Sequence, residues 1–220
     1  MAAELRYTLI VFDWDGTLID SPAAIVECIQ QASRDLGLEV PDRERASHVI
    51  GLGLEDSLRQ AVPQLPRDRY GEFVASYRRH FLAREDSMPL FRGVPRLLAH
   101  LRARGHRLAV ATGKSRRGLE RALAASGLGS HFSSSRCADE TVPKPDPAML
   151  RELMAELEVA PERALMIGDT SHDLLMARSA GVDALAVSYG AHPDAELRAL
   201  QPLACLASVE ELAKWLTRHG

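Results

Sequence analysis

The segment VFDWDGTLIDS, residues 11–21, decides the fold predicted for this chain. It starts inside an apolar run, Leu9 to Phe12, that is typical of a buried strand. Two carboxylates, Asp13 and Asp15, follow directly, and alternation along an extended chain points them to the same side. Two like charges this close cost free energy unless a cation or a shared proton offsets them. The segment therefore indicates a functional site at the end of the first strand.

The composition of the chain limits its class of function. With 220 residues, of which 46% are hydrophobic, it is long enough to bury a substantial core. The formal net charge of -3 offers no broad basic surface, so we expect no nucleic-acid partner. The three cysteines show no metal-ligand spacing, and the N-terminal residues resemble neither a signal peptide nor a membrane span. We expect a reduced, cytoplasmic protein without a membrane partner.

The order of apolar patterns along the chain predicts an α/β fold. The first strand is expected over residues 5–12, and from residue 94 onward strands alternate with amphipathic helices. Such alternation is typical of a parallel sheet with helices on both faces, the Rossmann-like arrangement. Ser208 and Glu211 form a capping-box pattern that opens the last helix. The further strands are predicted at residues 107–112, 164–168, 184–188 and 203–206, and helices at residues 94–104, 115–126, 147–157 and 171–180.

A helical stretch interrupts this alternation directly after the first strand. Ser21 followed by Pro22 is typical of a helix start, and residues 21–88 show the pattern of short helices broken by proline and glycine. We interpret this stretch as an inserted, all-helical cap domain on a core made of residues 1–20 and 89–220. The alternative is a set of extra helices packed permanently on a single core.

Polar side chains follow the predicted strands, at the edge of the sheet where open α/β folds bind their ligands. Each of these features has an ordinary explanation: Asp169 could be a helix cap, and Lys144 a solvated residue in a loop. Their joint occurrence, in this order on alternating strands, favours a catalytic site. The features are Asp13 with Asp15, the run Thr112-Gly113-Lys114-Ser115, Lys144 between two prolines, and Asp169 with Asp173 in GDTSHD, residues 168–173.

These motifs resemble, in order, the four motifs of the haloacid dehalogenase superfamily, and the resemblance covers essentially the whole chain. The pattern DWDGT at residues 13–17, Thr112 after a strand, Lys144, and the pair Asp169 and Asp173 carry it. The helical stretch resembles the small helical cap of that superfamily, and the subgroup it resembles most is the phosphoglycolate phosphatase-like hydrolases. The resemblance implies a Rossmann-like α/β core, an inserted all-helical cap domain and hydrolysis of phosphate esters.

The resemblance also implies a chemical role for each motif residue. Asp13 would be the nucleophile that forms an aspartyl-phosphate. Asp15 would protonate the leaving oxygen as general acid and then activate water as general base. Thr112 and the amide of Gly113 would donate hydrogen bonds to the phosphate oxygens, and Lys144 would balance their charge.

A Mg²⁺ site at the same place is a further implication of the resemblance. Its ligands would be the carboxylates of Asp13 and Asp169 and the backbone carbonyl of Asp15, since Mg²⁺ prefers oxygen ligands. Asp173 would not contact the ion directly but would orient a metal-bound water or Lys144.

The choice of substrate is expected to depend on the helical stretch. The loop IGLGL, residues 50–54, matches the place where such caps present a loop to the active site, which makes Gly51 and Leu52 candidate substrate contacts. The alternative for this loop is a simple turn between helices. Trp14, between the two motif carboxylates, is a further candidate for substrate binding. Lys114 could attract anions, but a solvated helix start is the favoured interpretation.

Departures from the superfamily narrow the reaction. Dehalogenases and phosphonate-cleaving relatives lack a carboxylate at the position of Asp15, so its presence favours phosphate-ester hydrolysis. Mutases that resemble β-phosphoglucomutase carry a histidine where this chain has Ile25, which weakens the mutase interpretation. The predicted function is a Mg²⁺-dependent phosphatase for a small, phosphoglycolate-like metabolite. The alternatives are a phosphosugar mutase and a phospho-acceptor signalling module, and the sequence leaves open whether the chain is a monomer or a homodimer.

Overall fold

The central feature of the fold is a six-stranded parallel sheet. The computed structural model describes residues 5–220, with strands β1 (Leu9–Phe12), β2 (Arg107–Thr112), β3 (Ser134–Cys137), β4 (Ala164–Gly168), β5 (Asp183–Val187) and β6 (Cys205–Leu206). The strand order is β3-β2-β1-β4-β5-β6, and every neighbouring pair is parallel. Phe12 therefore lies level with Val110 on one side and with Ile167 on the other.

Ten α-helices accompany the sheet within residues 5–220. Four of them follow β1 directly: α1 (Pro22–Asp35), α2 (Arg43–His48), α3 (Leu54–Ala61) and α4 (Tyr70–Leu82). The others are α5 (Val94–Ala103), α6 (Arg116–Ser126), α7 (Ala148–Glu156), α8 (Ser171–Ala180), α9 (Asp194–Ala199) and α10 (Val209–His219). None of these helices combines the length and the apolar composition that crossing a membrane requires.

Alternation of side chains along β1 places it between two layers of helices. Ile10 and Phe12 pack in one buried cluster with α5 and α10, while Leu9 and Val11 pack in another with α7 and α8. All four side chains are fully buried. A strand that is covered on both faces has to be apolar throughout, which is why this run is continuous rather than alternating. The predicted α/β class, a Rossmann-like parallel sheet, is confirmed.

Residues 21–88, called the helical segment from here on, have a hydrophobic core of their own. In it α1 packs along α4, and Ile25 and Phe73 are among its buried side chains. The two connections to the sheet run side by side, because the Asp20 amide donates a hydrogen bond of 2.9 Å to the Pro89 carbonyl. This arrangement agrees with the predicted insertion. That the helical segment acts as a separate cap domain stays a prediction.

The sequence pattern missed two elements, β3 and α9. β3 is the edge strand of the sheet, and its sequence SSRC is largely polar because such a strand is only partly covered. α9 follows Pro193 and has only 6 residues, which are too few for a helical period to be visible in the sequence. The first strand begins at Leu9, whereas the sequence predicted a start at residue 5.

Two predicted helix caps differ in the structure. The Ser21 side chain makes no bond to the backbone of α1, and its hydroxyl donates to Asp15 Oδ1 over 2.7 Å. Ser208 does cap α10, since its Oγ accepts from the Glu211 amide over 3.2 Å. The Glu211 carboxylate, however, accepts from the Ala207 amide over 2.9 Å, so the capping box lacks its return bond to Ser208. The serine before α1 thus serves the site rather than the helix.

The two buried layers give a direct test of the fold. Leu98 on α5 is fully buried, whereas Leu82 at the end of α4 is 49% exposed. We expect Leu98→Ala to lower the free energy of unfolding by about 2–5 kcal/mol, because it removes packed methyl groups and leaves a cavity. Leu82→Ala should change it by less than about 0.5 kcal/mol. Urea unfolding followed by circular dichroism measures both, and equal effects would contradict the assigned burial.

Candidate active site

The carboxyl ends of three neighbouring strands bring the motif residues together. Asp13 follows β1, Thr112 ends β2 and Asp169 follows β4, and β1 lies between the other two strands. Lys144 reaches the same place from the loop before α7, and Asp173 from the first turn of α8. All five side chains are buried. Residues far apart in the sequence therefore share one edge of the sheet.

The buried ammonium of Lys144 connects two of the carboxylates. Its Nζ lies 2.7 Å from Asp13 Oδ1 and 2.6 Å from Asp173 Oδ1. Burial by itself lowers the pKa of Lys144, but the negative charges of Asp13 and Asp173 outweigh burial and raise it above its ordinary value. Lys144 is therefore a permanent positive charge in the site.

Burial dominates the electrostatics of the carboxylates. It raises the pKa of Asp13 from 3.8 to about 7, against the opposing effect of Lys144 and with a further increase from Asp173. Burial, and after it the charges of Asp13 and Asp173, also raises the pKa of Asp169 well above its usual range. Three carboxylates share a single buried ammonium, so the ionised cluster has an excess of negative charge. A divalent cation would balance that excess.

The acidic cluster of Asp13, Asp169 and Asp173 can hold such a cation. One oxygen from each carboxylate lies within 4.8 Å of the others. Asp13 Oδ2 is buried and has no hydrogen-bond partner among the described residues, whereas Asp173 Oδ2 accepts from the amide and the hydroxyl of Thr170 over 3.1 and 2.7 Å. With Asp173 bound to Thr170 and Lys144, Asp13 and Asp169 are the better placed ligands. Their oxygens are of the kind that Mg²⁺ prefers.

The last residues of the DWDGT motif position Asp169. The Thr17 hydroxyl donates to Asp169 Oδ1 over 2.8 Å, and the Ala191 amide donates to Oδ2 over 2.7 Å. Gly16 has a φ of +82°, and a Cβ atom there would lie 2.1 Å from Asp169 Oδ2. Only glycine allows this turn and this approach. This role of Thr17 was not predicted from the sequence, although the place of Thr17 in the motif was visible.

Asp15 turns away from the acidic cluster and toward a cavity. Its Oδ1 accepts from Ser21 over 2.7 Å, and its Oδ2 lies 3.0 Å from Lys114 Nζ. The Lys114 side chain is only 12% exposed, and its ammonium lies 4.7 Å from the ring centroid of Phe81. The preferred expectation that Lys114 would be a solvated residue at a helix start is therefore wrong. An ion-pair partner across the site was not visible from local spacing.

The loop of the helical segment that was singled out does reach the core. A Cβ atom on Gly113 would lie 2.7 Å from the carbonyl oxygen of Gly51, so the two backbones are in close contact. Gly51, Leu52, Thr112 and Gly113 all line the cavity that also contains Asp13 and Asp15. Their contact with a substrate stays a prediction.

Trp14 does not join the site. Its side chain is fully buried in the hydrophobic core, where its ring meets Phe132 edge to face at 6.3 Å, and it is absent from the lining of the cavity. The physical reason is alternation: if the residues on either side of Trp14 point into the site, Trp14 points away from it. The expectation of a substrate-binding Trp14 side chain is wrong.

The cavity lies between the sheet edge and the helical segment and has a volume of about 230 Å³. Its polar end is formed by the motif residues. Its remaining walls are largely apolar and include Ile25 and Ile29 of α1 and Phe73, Tyr77 and Phe81 of α4. A pocket with a few convergent polar groups and apolar walls is typical of a site for a small molecule.

Comparison with known proteins identifies the family. The sequence model described as haloacid dehalogenase-like hydrolase matches residues 10–187. The chain belongs to this family. It is 38% identical over 212 residues to the probable phosphatase IndB of Dickeya dadantii, covering 93% of this chain and 91% of that protein. It is also 36% identical over 226 residues to a 5'-nucleotidase of Pseudomonas aeruginosa, covering 99% of both.

Solved structures of haloacid dehalogenase-like proteins have the same fold. The crystal structure of a predicted phosphoglycolate phosphatase from Haemophilus somnus superposes with a TM-score of 0.83 at 25% identity, covering 97% of this chain and 99% of that one. The predicted resemblance to phosphoglycolate phosphatase-like hydrolases is thereby confirmed. The chain is a phosphatase of the haloacid dehalogenase-like hydrolases, and its acidic cluster can hold a divalent metal.

The raised pKa of Asp13 predicts a metal effect that grows with pH. Between about pH 4 and 7 the folded, metal-free protein binds protons that the unfolded chain has released, so the site's contribution to stability falls as pH rises. Mg²⁺ requires ionised carboxylates. We expect excess Mg²⁺ to raise the melting temperature of chelator-treated protein more at about pH 8 than at about pH 5.

Asp169→Asn is the control for this measurement, because it removes one carboxylate of the cluster. It should abolish most of the Mg²⁺-dependent rise in melting temperature. A rise of the same size at both pH values, or one that Asp169→Asn leaves intact, would contradict a metal site in the acidic cluster.

Proposed function

We propose that the chain is a Mg²⁺-dependent phosphatase that forms an aspartyl-phosphate on Asp13. The position of Asp13 supports this most strongly. Lys144 holds its Oδ1 over 2.7 Å, Oδ2 has no hydrogen-bond partner among residues 5–220, and the residue lines the cavity. One oxygen is thus fixed in place while the other can approach a metal or a phosphorus atom.

In the first step Asp13 attacks the phosphorus of the substrate. A bond forms between a carboxylate oxygen and phosphorus, and the bond from phosphorus to the alcohol oxygen breaks. The departing oxygen takes a proton from Asp15, which faces the same cavity and is oriented by Ser21 and Lys114. The products of this step are the free alcohol and the phosphorylated Asp13.

In the second step water releases the phosphate. Asp15, now ionised, accepts a proton as the water oxygen bonds to phosphorus, and the bond to Asp13 breaks. Inorganic phosphate leaves, and both carboxylates return to their starting states. One water molecule is consumed for each ester hydrolysed.

Charge stabilisation accompanies both steps. Thr112 and Gly113 line the cavity, and in the proposed reaction the Thr112 hydroxyl and the Gly113 amide donate hydrogen bonds to the phosphate oxygens, while Lys144 contributes a fixed positive charge. Asp13 and Asp169 would hold Mg²⁺, with the backbone carbonyl of Asp15 as a further candidate ligand, and the bound ion would supply charge neutralisation for the phosphoryl group. Asp173 positions Lys144 through the 2.6 Å ion pair.

The neighbourhood of Ile25 favours hydrolysis over a mutase reaction. Ile25 lines the cavity wall on α1. An apolar side chain at this position has no ionisable group that could move a proton between sugar hydroxyls. Release of phosphate to water, rather than transfer to a second hydroxyl, is therefore the proposed outcome.

Substitution of the two motif carboxylates tests the mechanism. With an aryl phosphate and Mg²⁺, Asp13→Asn should lower kcat/KM by roughly 10³-fold or more, because no covalent intermediate can form. The Asp15→Asn variant should still accept a phosphoryl group from the aryl phosphate, because the aryl oxide is a good leaving group that needs no proton. Its turnover should fall by about 10²–10⁴-fold. Intact-protein mass spectrometry should then detect one added phosphoryl group, bound to Asp13, in the Asp15→Asn variant.

Asp20→Asn is the matched control, since Asp20 belongs to the same segment but is exposed. It should retain the wild-type rate. Full activity of Asp13→Asn would remove Asp13 as the nucleophile. Stoichiometric phosphorylation of the wild type without release of phosphate would instead indicate a phospho-acceptor module.

The cavity also bears on the substrate, a small phosphorylated metabolite. Phe73, Tyr77 and Phe81 recur every fourth residue on α4 and form an aromatic wall. Two of the lining cations have partners, since Lys114 pairs with Asp15 and Arg121 with Glu85 over 3.1 Å; a third, Arg78, is exposed. A second anionic group on the substrate would meet mostly apolar surface.

Two substrate classes are therefore compared. A phosphoglycolate-like substrate, which the sequence predicted, carries a carboxylate next to the phosphate. An ester of an aromatic or other apolar alcohol, such as a nucleoside monophosphate, would bury its ring against the aromatic wall. The apolar lining favours the second class, and one relative is named a 5'-nucleotidase.

Steady-state kinetics distinguishes these classes. We expect kcat/KM for a nucleoside 5'-monophosphate to exceed that for 2-phosphoglycolate by about tenfold or more, a preference of roughly 1.4 kcal/mol. Phe73→Leu should reduce kcat/KM for the nucleotide by roughly 2- to 10-fold, because an aromatic contact is lost. The same substitution should leave kcat/KM for 2-phosphoglycolate unchanged. A higher kcat/KM for 2-phosphoglycolate would contradict the proposal that the substrate is an ester of an aromatic or apolar alcohol. It would leave the proposed phosphatase mechanism intact.

A further inference from the structure

A second group of potential metal ligands lies outside the acidic cluster. It consists of His48, His192 and Glu196, and His172 packs against both histidines. His48 ends α2 in the helical segment, Glu196 is on α9, and His192 lies just before it. The group therefore bridges the helical segment and the part of the chain that follows β5. Neither the motifs nor the proposed reaction assigns a role to it.

The distances within this group match those between ligands of one ion. His192 Nδ1 lies 3.3 Å from Glu196 Oε1, His48 Nδ1 lies 3.9 Å from the same oxygen, and all three atoms lie within 4.8 Å of one another. Two ligands on a tetrahedral Zn²⁺ with bonds of about 2.0–2.2 Å are roughly 3.3–3.5 Å apart. The first pair already has this spacing. The His48 ring stacks on His192 at an interplanar angle of 13°, so the His48 side chain must rotate to direct its lone pair at the same ion.

Hydrogen bonds fix which nitrogen of His192 is available. The carbonyl oxygen of His48 lies 3.2 Å from His192 Nε2 and 2.8 Å from His172 Nε2, and a carbonyl only accepts, so both Nε2 atoms carry protons. The Ser171 backbone N–H points at His192 Nδ1 over 3.1 Å, so that nitrogen is an acceptor with a lone pair. A histidine whose second nitrogen donates to a backbone carbonyl is typical of metal sites.

This tautomer leaves two acceptors facing each other. The lone-pair nitrogen of His192 and the Glu196 carboxylate oxygen are 3.3 Å apart, and no proton of either group lies between them. Such a contact is electrostatically unfavourable on its own and becomes favourable when a cation binds to both atoms. A metal would compete for this lone pair with the Ser171 amide and with the Ser171 hydroxyl, whose Oγ lies 3.2 Å from Nδ1, and this competition limits the affinity of the metal.

We propose that His48, His192 and Glu196 bind a divalent transition-metal ion, of the class of Zn²⁺, and that this ion joins α2 to α9. Imidazole nitrogen suits Zn²⁺, whereas the all-oxygen acidic cluster suits Mg²⁺, so the two sites differ in chemistry. The side chain of His48 is 45% exposed, which gives the ion access and leaves room for water ligands.

The site would reinforce an existing contact between the helical segment and the core. The Ser47 hydroxyl donates to the Ala191 carbonyl over 2.8 Å, and the rings of His48 and His192 stack at 4.8 Å. The amide of Ala191 in turn donates to Asp169. Metal binding at this place would hold α2 against the residues that position the acidic cluster. The proposal does not depend on the proposed phosphatase reaction.

Metal binding is tested on the full chain without an affinity tag. Zn²⁺ is titrated in competition with a chromophoric chelator in the presence of excess Mg²⁺, and Co²⁺ is used as a spectroscopic probe. The variants are His48→Gln and Glu196→Gln, with His100→Gln as the matched control, because His100 is an exposed histidine on α5 outside the group.

The wild type and His100→Gln should bind Zn²⁺ at a site that is at least about tenfold weaker in His48→Gln and in Glu196→Gln. The visible absorption of tetrahedral Co²⁺ should be lost in the same two variants. Zn²⁺ should also raise the melting temperature of the wild type and His100→Gln by more than that of His48→Gln, because the ion joins two parts of the fold.

Absence of Zn²⁺ binding by the wild type would overturn the proposal. Unchanged affinity in both His48→Gln and Glu196→Gln would also overturn it, because the ion would then occupy another site such as the acidic cluster. Melting curves without metal show that each variant is folded, so a loss of binding is assigned to the missing ligand.

Discussion

The buried ion pairs of Lys144 are the interaction on which the rest of the structure depends. An ammonium without access to water is tolerable only where carboxylates compensate it, and Asp13 and Asp173 do so from 2.7 and 2.6 Å. Removing one partner of such a buried pair costs about 3–5 kcal/mol, because a charge is left without compensation. The end of β1, the first turn of α8 and the loop that carries Lys144 must therefore meet at one point.

The supply of negative charge around that point exceeds what Lys144 can balance. Asp169 adds a third buried carboxylate, and its position is held by Thr17 and by the amide of Ala191. Gly16 and Gly190 leave no room beside it, since a Cβ atom on either would lie within 2.2 Å of Asp169 Oδ2. Gly16, Gly190 and the Thr17 hydroxyl thus hold the Asp169 carboxylate in a position where its negative charge is unfavourable unless a cation binds.

Asp15 shows how one short segment serves two environments. Asp13 is enclosed among charges, whereas Asp15 pairs with Lys114 and faces a cavity with largely apolar walls. The polar end of this cavity belongs to the sheet edge, and the apolar end to α1 and α4 of the helical segment. Chemistry and substrate choice are therefore divided between two parts of the chain that meet at the backbones of Gly113 and Gly51.

Much of the fold could be predicted because its signals are local. The run Leu9 to Phe12, the strand RLAVAT and the strand ALMIG are continuous apolar segments, and the structure places all three in the interior of the sheet. β3 escaped prediction because an edge strand can be polar, and α9 because six residues show no clear period. Ser21 had the local signal of a helix cap, yet its hydroxyl bonds to Asp15.

By itself, the sequence determined the class of fold, the family and the identity of the charged residues at the strand ends. These depend on periodicity and on motif spacing, which are properties of short segments. Only the tertiary structure decided which charges pair, that Lys114 is buried beside Asp15, and that Trp14 points into the core. It also brought His48 to His192 and Glu196. The reason is that distances between residues remote in sequence are set by packing, and no local pattern records them.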